Sequence, residues 1–174
     1  KRLTANIQKM MSDSNLKGKV IWLLMTARIH LLSDDIRRPG RVGNLIIPIL
    51  DPYDEDKDEF LKWVFGHLEG FSDSIEELRE LTDGYSSAAY EGLRSEIKSE
   101  KCTTIEEAIE IIEDTLMADI EDTRRYQTLQ ALINCTRTCL IPDHFINEGE
   151  GSRFQRVKEA KKEWKKEIAR MEMN

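Results

Sequence analysis

Long apolar runs, cysteine pairs and a secretory leader are all missing from this sequence. No apolar stretch approaches the roughly 20 residues that a membrane-spanning helix needs, and the start Lys1–Thr4 does not open a signal peptide. The three cysteines, Cys102, Cys135 and Cys139, contain no CxxC pair. We therefore expect a cytoplasmic protein with reduced thiols, no metal site and no membrane segment.

Several motifs of nucleotide and zinc enzymes are also missing. The sequence has no GxxxxGK[ST] loop for phosphates, no HExxH, and no apolar strand ending in Asp-Glu before residue 20. It also begins without Met and within a helical pattern. We therefore expect the 174 residues to be a piece of a longer protein.

The charge is spread unevenly over a composition that is typical of globular proteins, with 40% hydrophobic and 34% charged residues. Residues 1–44 carry 9 basic and 3 acidic side chains, residues 45–123 carry 6 and 23, and residues 124–174 carry 11 and 7. A basic block next to an acidic block suits a multi-subunit assembly, although solvated helix faces give the same pattern.

The hydrophobic pattern changes near Pro52. Before it, Val20–Met25 and Leu45–Leu50 are short continuous apolar runs, which predict strands buried on both faces of a parallel sheet. After it, apolar residues recur at helical spacing. The sequence thus predicts an α/β segment at 1–52, a helical bundle at 53–148 and a final helix within 149–174.

Several helix boundaries can be predicted from local signals. Ser33 is placed to cap a short helix, and Ser74 with Glu77 and Thr104 with Glu107 have the spacing of capping boxes. The predicted helices cover 3–13, 33–37, 60–68, 75–81, 86–99, 105–116, 126–140 and 152–172. Pro142 ends the seventh of these, and Trp164 is expected to dock the last one.

Two segments carry a resemblance to a known family. Trp22–Arg41 (WLLMTARIHLLSDDIRRPGR) resembles the second region of homology of AAA-type ATPases, where an apolar strand ends in Thr-Asn-Arg-Pro and a short helix leads to Arg-Pro-Gly-Arg. Thr82–Ala89 (TDGYSSAA) resembles the family's lid motif Thr-x-Gly-Phe-Ser-Gly-Ala-Asp. The resemblance covers roughly residues 3–100. It implies the C-terminal part of an AAA+ P-loop ATPase core, followed by a helical-bundle lid.

The resemblance assigns roles to residues of the first segment. Arg38 and Arg41 match the arginine fingers that one subunit offers to its neighbour's ATP, where guanidinium forks stabilise negative charge. Thr26 matches the sensor that bonds the attacking water or the γ-phosphate, but Ala27 replaces the family's Asn and cannot orient water. Arg28 matches an arginine near the nucleotide, and an ordinary strand-end arginine explains it equally well.

In the second segment the resemblance assigns nucleotide contacts to Gly84, Ser87 and Ala88. Small residues and free amides at a helix start suit close approach to adenine and ribose. Tyr85 replaces the family's Phe and Ser87 its Gly. A glycine stop followed by a serine-capped helix explains the same residues without a ligand.

The resemblance implies an ATP-driven remodelling machine. ATP with Mg²⁺ would be its cofactor in the intact parent, a ring homo-oligomer its assembly and a protein its substrate. Without the phosphate loop and the Asp-Glu strand, we expect this chain alone not to hydrolyse ATP. The alternative is a non-catalytic helical lid or oligomerisation module, which Ala27 favours. A nucleic-acid partner is not expected, because glutamates interleave the lysines of residues 158–167.

Overall fold

The computed structural model describes residues 2–16, 18–38, 44–116 and 118–173. The protein is mostly helical. Its described part contains eight α-helices: α1 (Arg2–Met11), α2 (Asp34–Arg37), α3 (Glu55–Phe65), α4 (Ile75–Leu81), α5 (Ser87–Glu100), α6 (Ile105–Asp114), α7 (Glu121–Asn134) and α8 (Arg153–Met171). Short 3-10 turns lie at Ile29–Leu31, Phe71–Asp73, Thr138–Leu140 and Asp143–Phe145.

Capping explains where several helices begin. The predicted capping box of α6 is confirmed, with Thr104 accepting from the Glu107 amide and Glu107 accepting in return. Ser152 caps α8 in the same way, with Gln155 as its partner. The box predicted at Ser74 is wrong. Helix α4 does begin after Ser74, but Ser74 has φ −110° and ψ 11° and makes no side-chain cap bond, because a capping side chain needs an extended backbone.

Two predicted helices end earlier than their apolar pattern. Helix α6 stops at Asp114, and Leu116, predicted to continue its apolar stripe, is 96% exposed. Helix α7 stops at Asn134 instead of continuing to Leu140, and a separate 3-10 turn covers Thr138–Leu140. A periodic apolar pattern therefore continued beyond the hydrogen-bonded helix at both places.

The two predicted strands are wrong as strands. Within the described residues no strand or sheet is formed. From Ile21 to Met25 the side chains alternate between exposed and half-buried, and Ile21, Leu23 and Met25 are each more than 80% exposed. A strand needs a neighbouring strand to satisfy its backbone, and the described part of this chain offers none. The α/β part of the predicted fold is therefore corrected to irregular chain between helices.

The chain packs as two compact units, which we call the terminal unit (Lys1–Ile49 with Ile120–Asn174) and the central unit (Leu50–Asp119). They group residues differently from the predicted ranges 1–52, 53–148 and 149–174, which stay a prediction. In the central unit, α3 packs against α4 and α5, and α5 packs against α6. Its core contains the fully buried Leu61, Phe65, Leu78 and Ile105.

The terminal unit is built on the packed helix pair α7 and α8, which makes most of its helix contacts. Leu129 and Leu132 of α7 and Val157 and Trp164 of α8 are buried, so the predicted docking of the last helix by Trp164 is confirmed. Arg125 adds two bonds to the Glu167 carboxylate across the pair, at 2.7 and 3.0 Å. In the described residues, none of the helices is both long and apolar enough to cross a bilayer.

Candidate functional site

The predicted lid motif forms a turn between α4 and α5 in the central unit. Thr82 ends α4 with its amide bonded to the Leu78 carbonyl at 3.0 Å. Gly84 follows with φ +70°, which a residue without Cβ adopts at little cost. Ser86 then caps α5, its hydroxyl accepting from the Ala89 amide at 3.2 Å. The motif therefore reverses the chain with a glycine and starts a new helix immediately afterwards.

A buried hydroxyl pair fixes this turn to the core. Thr82 is fully buried, and its hydroxyl donates to the Leu78 carbonyl at 2.7 Å. The Tyr90 hydroxyl, one helix later, donates to Thr82 Oγ1 at 2.9 Å. Burial raises the pKa of Tyr90. Burial also raises the pKa of Tyr85, and the negative charge of Glu96 makes a smaller contribution in the same direction. Both phenols are therefore uncharged near neutral pH, and the Tyr90 hydroxyl connects the turn to α5.

The turn faces a cleft of about 230 Å³ that also lies within the central unit. One wall is the entry to α3 and the other is the end of α4 with the glycine turn. Its lining residues are Pro52, Tyr53, Asp54, Lys57, Arg79, Thr82, Asp83, Gly84 and Tyr85. The cleft therefore combines two aromatic rings, two cations and a backbone turn, which are groups that suit a polar aromatic ligand.

The two cations of the cleft are held differently. Arg79 is ion-paired with Asp58, whose hydrogen bond and charge raise the pKa of Arg79. Lys57 is only 15% exposed, and its ammonium lies 3.4 Å from the exposed carboxylate of Asp83. A separation of 3.4 Å is long for a charged hydrogen bond. Lys57 would therefore lose less interaction energy than Arg79 on turning from its carboxylate toward a ligand.

The three predicted contact residues of the lid lie together at one end of α5. A side chain added at Gly84 would meet no atom within 4 Å, so the space beside the turn is open. Ser87 and Ala88 are exposed in the first turn of α5. Because the cap satisfies the Ala89 amide, helix geometry leaves the two amides before it directed outward. The start of α5 can therefore donate hydrogen bonds to an anionic or polar group.

The predicted sensor residues belong to the terminal unit. Thr26 and Arg28 are both exposed. The Thr26 hydroxyl accepts a hydrogen bond from the Arg28 amide at 3.0 Å, which forms a local turn. Arg28 then precedes the 3-10 turn Ile29–Leu31. As an acceptor in this bond, Thr26 still has its own O–H to donate.

Of the two predicted arginine fingers, Arg38 is among the described residues. Arg38 follows α2 and is 71% exposed, with Nε 3.5 Å from the Asp35 carboxylate. Exposed pairs of this kind contribute little, so the guanidinium can leave Asp35 at small cost. Arg41 lies outside the described residues. Arg37, the residue before Arg38, is instead fixed by Asp34 and by Asn134 of α7 at 2.8 Å.

Sequence reasoning missed most of the cleft. Lys57, Arg79 and Tyr53 come together with the glycine turn only through packing of α3 on α4. The one available signal was the acidic entry to α3, which ends in a lysine and a further Asp. Asp54 just before it has φ +52°, an unusual value for a residue with a Cβ.

Comparison with known proteins gives no relative for this chain. No protein-family model, no curated protein and no solved structure matches it. In the described residues, no group of three acidic, cysteine or histidine side chains is placed to hold a metal ion.

Proposed function

We propose that this chain supplies the lid, the sensor segment and arginine fingers to the nucleotide site of an AAA-type ATPase. The observation that carries the proposal is the lid turn, in which Thr82–Ala89 combines a left-handed Gly84 with an N-capped helix beside an open cleft. The resemblance to the family's lid motif assigns nucleotide contacts to Gly84, Ser87 and Ala88 of this segment. In the intact parent, ATP with Mg²⁺ would bind with its phosphates on a loop outside these 174 residues.

Each candidate residue has a physical task in this proposal. Gly84 leaves room for the nucleotide, and the backbone N–H groups of Ser87 and Ala88 donate to its polar edge. Arg38, weakly held by Asp35, and Arg41 stabilise charge on the phosphates of a neighbouring subunit. Thr26 donates its hydroxyl, and Arg28 beside it adds positive charge. Hydrolysis would then depend on assembly into a ring, in the cytoplasm, with a protein as the remodelled substrate.

The lid assignment can be tested by titrating a fluorescent ATP analogue into the protein that carries these residues together with a phosphate-binding loop. We expect Gly84→Val to weaken binding about tenfold, or about 1.4 kcal/mol, because the added side chain would occupy the open space beside the turn that the nucleotide needs. Gly92→Val is the control for a glycine-to-valine change away from the turn, since Gly92 is exposed within α5 and a side chain there also meets open space.

The finger assignment needs a turnover measurement. We expect Arg38→Ala to keep analogue binding and to lower turnover on the order of 10³-fold. Arg38→Lys should recover only part of the loss, because lysine cannot form the guanidinium fork. Equal binding in Gly84→Val and Gly92→Val, or normal turnover in Arg38→Ala, would contradict the respective assignment. A gene with no phosphate-binding loop or Asp-Glu strand would refute the proposal as a whole.

A second candidate is a non-catalytic lid or oligomerisation module. The observation that favours it is Ala27, a methyl group where the family has the amide of Asn. In that case the parent protein would bind the ATP analogue weakly or not at all, while oligomer size by light scattering would still depend on residues of this chain. Replacing Ala27 by Asn separates the two readings, since only a working site can gain turnover from the added amide.

A further inference from the structure

A second cleft, of about 590 Å³, lies within the terminal unit. It opens where the 3-10 turn Asp143–Phe145 and the following loop meet the first turns of α8. The lining residues are Asp143, His144, Ile146, Glu148, Arg153 and Arg156. Only Ile146 among them is apolar, so the cleft is suited to a polar ligand.

One arginine of the cleft is fully committed to the fold. Arg153 donates from Nε to the Thr138 carbonyl at 3.1 Å. Its other two nitrogens bond to the Ile141 carbonyl and to the Asp143 carboxylate. Arg153 and Asp143 therefore form a fixed rim without net charge, and neither is free for a ligand.

Among the residues that the structure describes, the other arginine, Arg156, has no partner. Arg156 lies three residues further along α8, so it projects from the same helix face as Arg153. Its Nε is enclosed and makes no hydrogen bond, and no hydrogen bond or ion pair involves its side chain within the described residues. An enclosed N–H without an acceptor is unfavourable and calls for an explanation. For a guanidinium the best acceptor is an oxyanion, because two parallel N–H groups match two oxygens.

We propose that this cleft binds an oxyanion, the phosphate or carboxylate group of a small molecule, through the guanidinium of Arg156. His144 also lines the cleft. The proposal does not depend on the ATPase assignment, since it concerns other residues in a different packing unit from the lid.

The remaining titratable groups set the expected strength. Burial lowers the pKa of His144 and Asp143 opposes that shift, so the imidazole adds no positive charge to the cleft near neutral pH. Glu148 is exposed and is the one lining carboxylate that Arg153 does not hold. Its charge repels an anion. We therefore expect weak binding to the native protein and tighter binding once Glu148 is neutralised.

The experiment is an NMR titration of the ¹⁵N-labelled 174-residue chain with inorganic phosphate and, separately, with acetate, at constant ionic strength. The expected result is saturable shifts of amides in 143–156, with the tighter anion identifying the ligand class. Arg156→Gln should raise the Kd at least about tenfold, the value of one charge-assisted bond. Arg170→Gln is the matched control, because Arg170 is exposed on the same helix and the charge change is identical.

Glu148→Gln gives an independent check that leaves Arg156 in place, and should tighten binding. It decides the question if circular dichroism shows that Arg156→Gln has lost its helices. The proposal is overturned if neither anion gives saturable shifts near Arg156, if folded Arg156→Gln binds as the native chain does, or if Glu148→Gln leaves the Kd unchanged.

Discussion

Replacing Thr82 by valine removes a hydroxyl at the centre of the lid turn while keeping the side chain's shape. In the native protein this hydroxyl is fully buried, donates to the Leu78 carbonyl at 2.7 Å and accepts from the Tyr90 hydroxyl at 2.9 Å. The Leu78 carbonyl keeps a second donor, the Thr82 amide at 3.0 Å. The Tyr90 hydroxyl has only Thr82 as its acceptor among the hydrogen bonds of the described residues, so valine would leave it buried and unpaired.

The expected loss of unfolding free energy follows from this difference between the Leu78 carbonyl, which stays bonded, and the Tyr90 hydroxyl, which does not. An orphaned buried donor costs about 1–3 kcal/mol and a lost net hydrogen bond about 0.5–1.5 kcal/mol. We therefore expect Thr82→Val to lower the free energy of unfolding of the central unit by about 2–3 kcal/mol. Tyr90→Phe should cost only about 1 kcal/mol, because Thr82 still donates to Leu78. The double variant removes the orphan, so its cost should fall below the sum by about 1 kcal/mol.

Native-state amide hydrogen exchange is the suitable assay, since amides of α4 and α5 report the central unit alone. Ser95→Ala is the control: it also loses a hydroxyl bonded to a carbonyl four residues back, at 2.9 Å, but on an exposed helix face. Its effect should stay within about 0.5 kcal/mol. Additive costs for Thr82→Val and Tyr90→Phe would refute the claim that the two hydroxyls depend on each other.

Three further results are expected from the same chain. Lys101 ends α5 at φ +59°, so Lys101→Gly should stabilise the central unit by about 1 kcal/mol in urea unfolding, whereas the control Lys98→Gly within the helix should destabilise it by a similar amount. Backbone hydrogen bonds from Thr103 and Thr104 lower the pKa of Glu107 below its usual 4.5. The stabilisation from Glu107 is therefore fully present above pH 4.5 and is lost as the pH falls through the lower native pKa. Glu107→Gln should flatten the fall of unfolding free energy at acid pH, and an unchanged fall would contradict the assignment. Purified chain should give no ATP turnover above a buffer blank, and clear turnover would refute the division of the site between this chain and an outside phosphate loop.

Local signals predicted helix starts well where the cap geometry could form. Thr104 with Glu107 and Ser74 with Glu77 have the same spacing, yet only the first pair makes a box. Ser74 ends the 3-10 turn Phe71–Asp73, and its amide bonds back to Phe71, so its backbone is not extended. Residue spacing alone contains no information on such a preceding turn, which is why the cap could not be predicted.

Only the wall of the cleft formed by the glycine turn could be predicted from the sequence. The glycine turn and the start of α5 are contiguous in sequence, so a motif of eight residues was enough to indicate them. Lys57 faces Asp83 from 26 residues away, and Arg79 is oriented by Asp58 from 21 residues away. These pairs depend on how α3 packs on α4, a tertiary choice that composition and periodicity do not encode.

The two missing strands show that strand-like sequence and strand formation are separate requirements. Apolar side chains from Ile21 to Met25 alternate in exposure with a period of two, as in an extended chain. Leu45–Leu50 does the same, and Ile46 alone is fixed, by bonds of 2.9 and 3.3 Å to Thr136. Helices close their hydrogen bonds within themselves, and a strand closes them only against another strand. The part of the chain that the structure describes holds no strand with which the two apolar segments could pair. The helices therefore form while those segments stay irregular, with Ile21, Leu23 and Ile49 exposed.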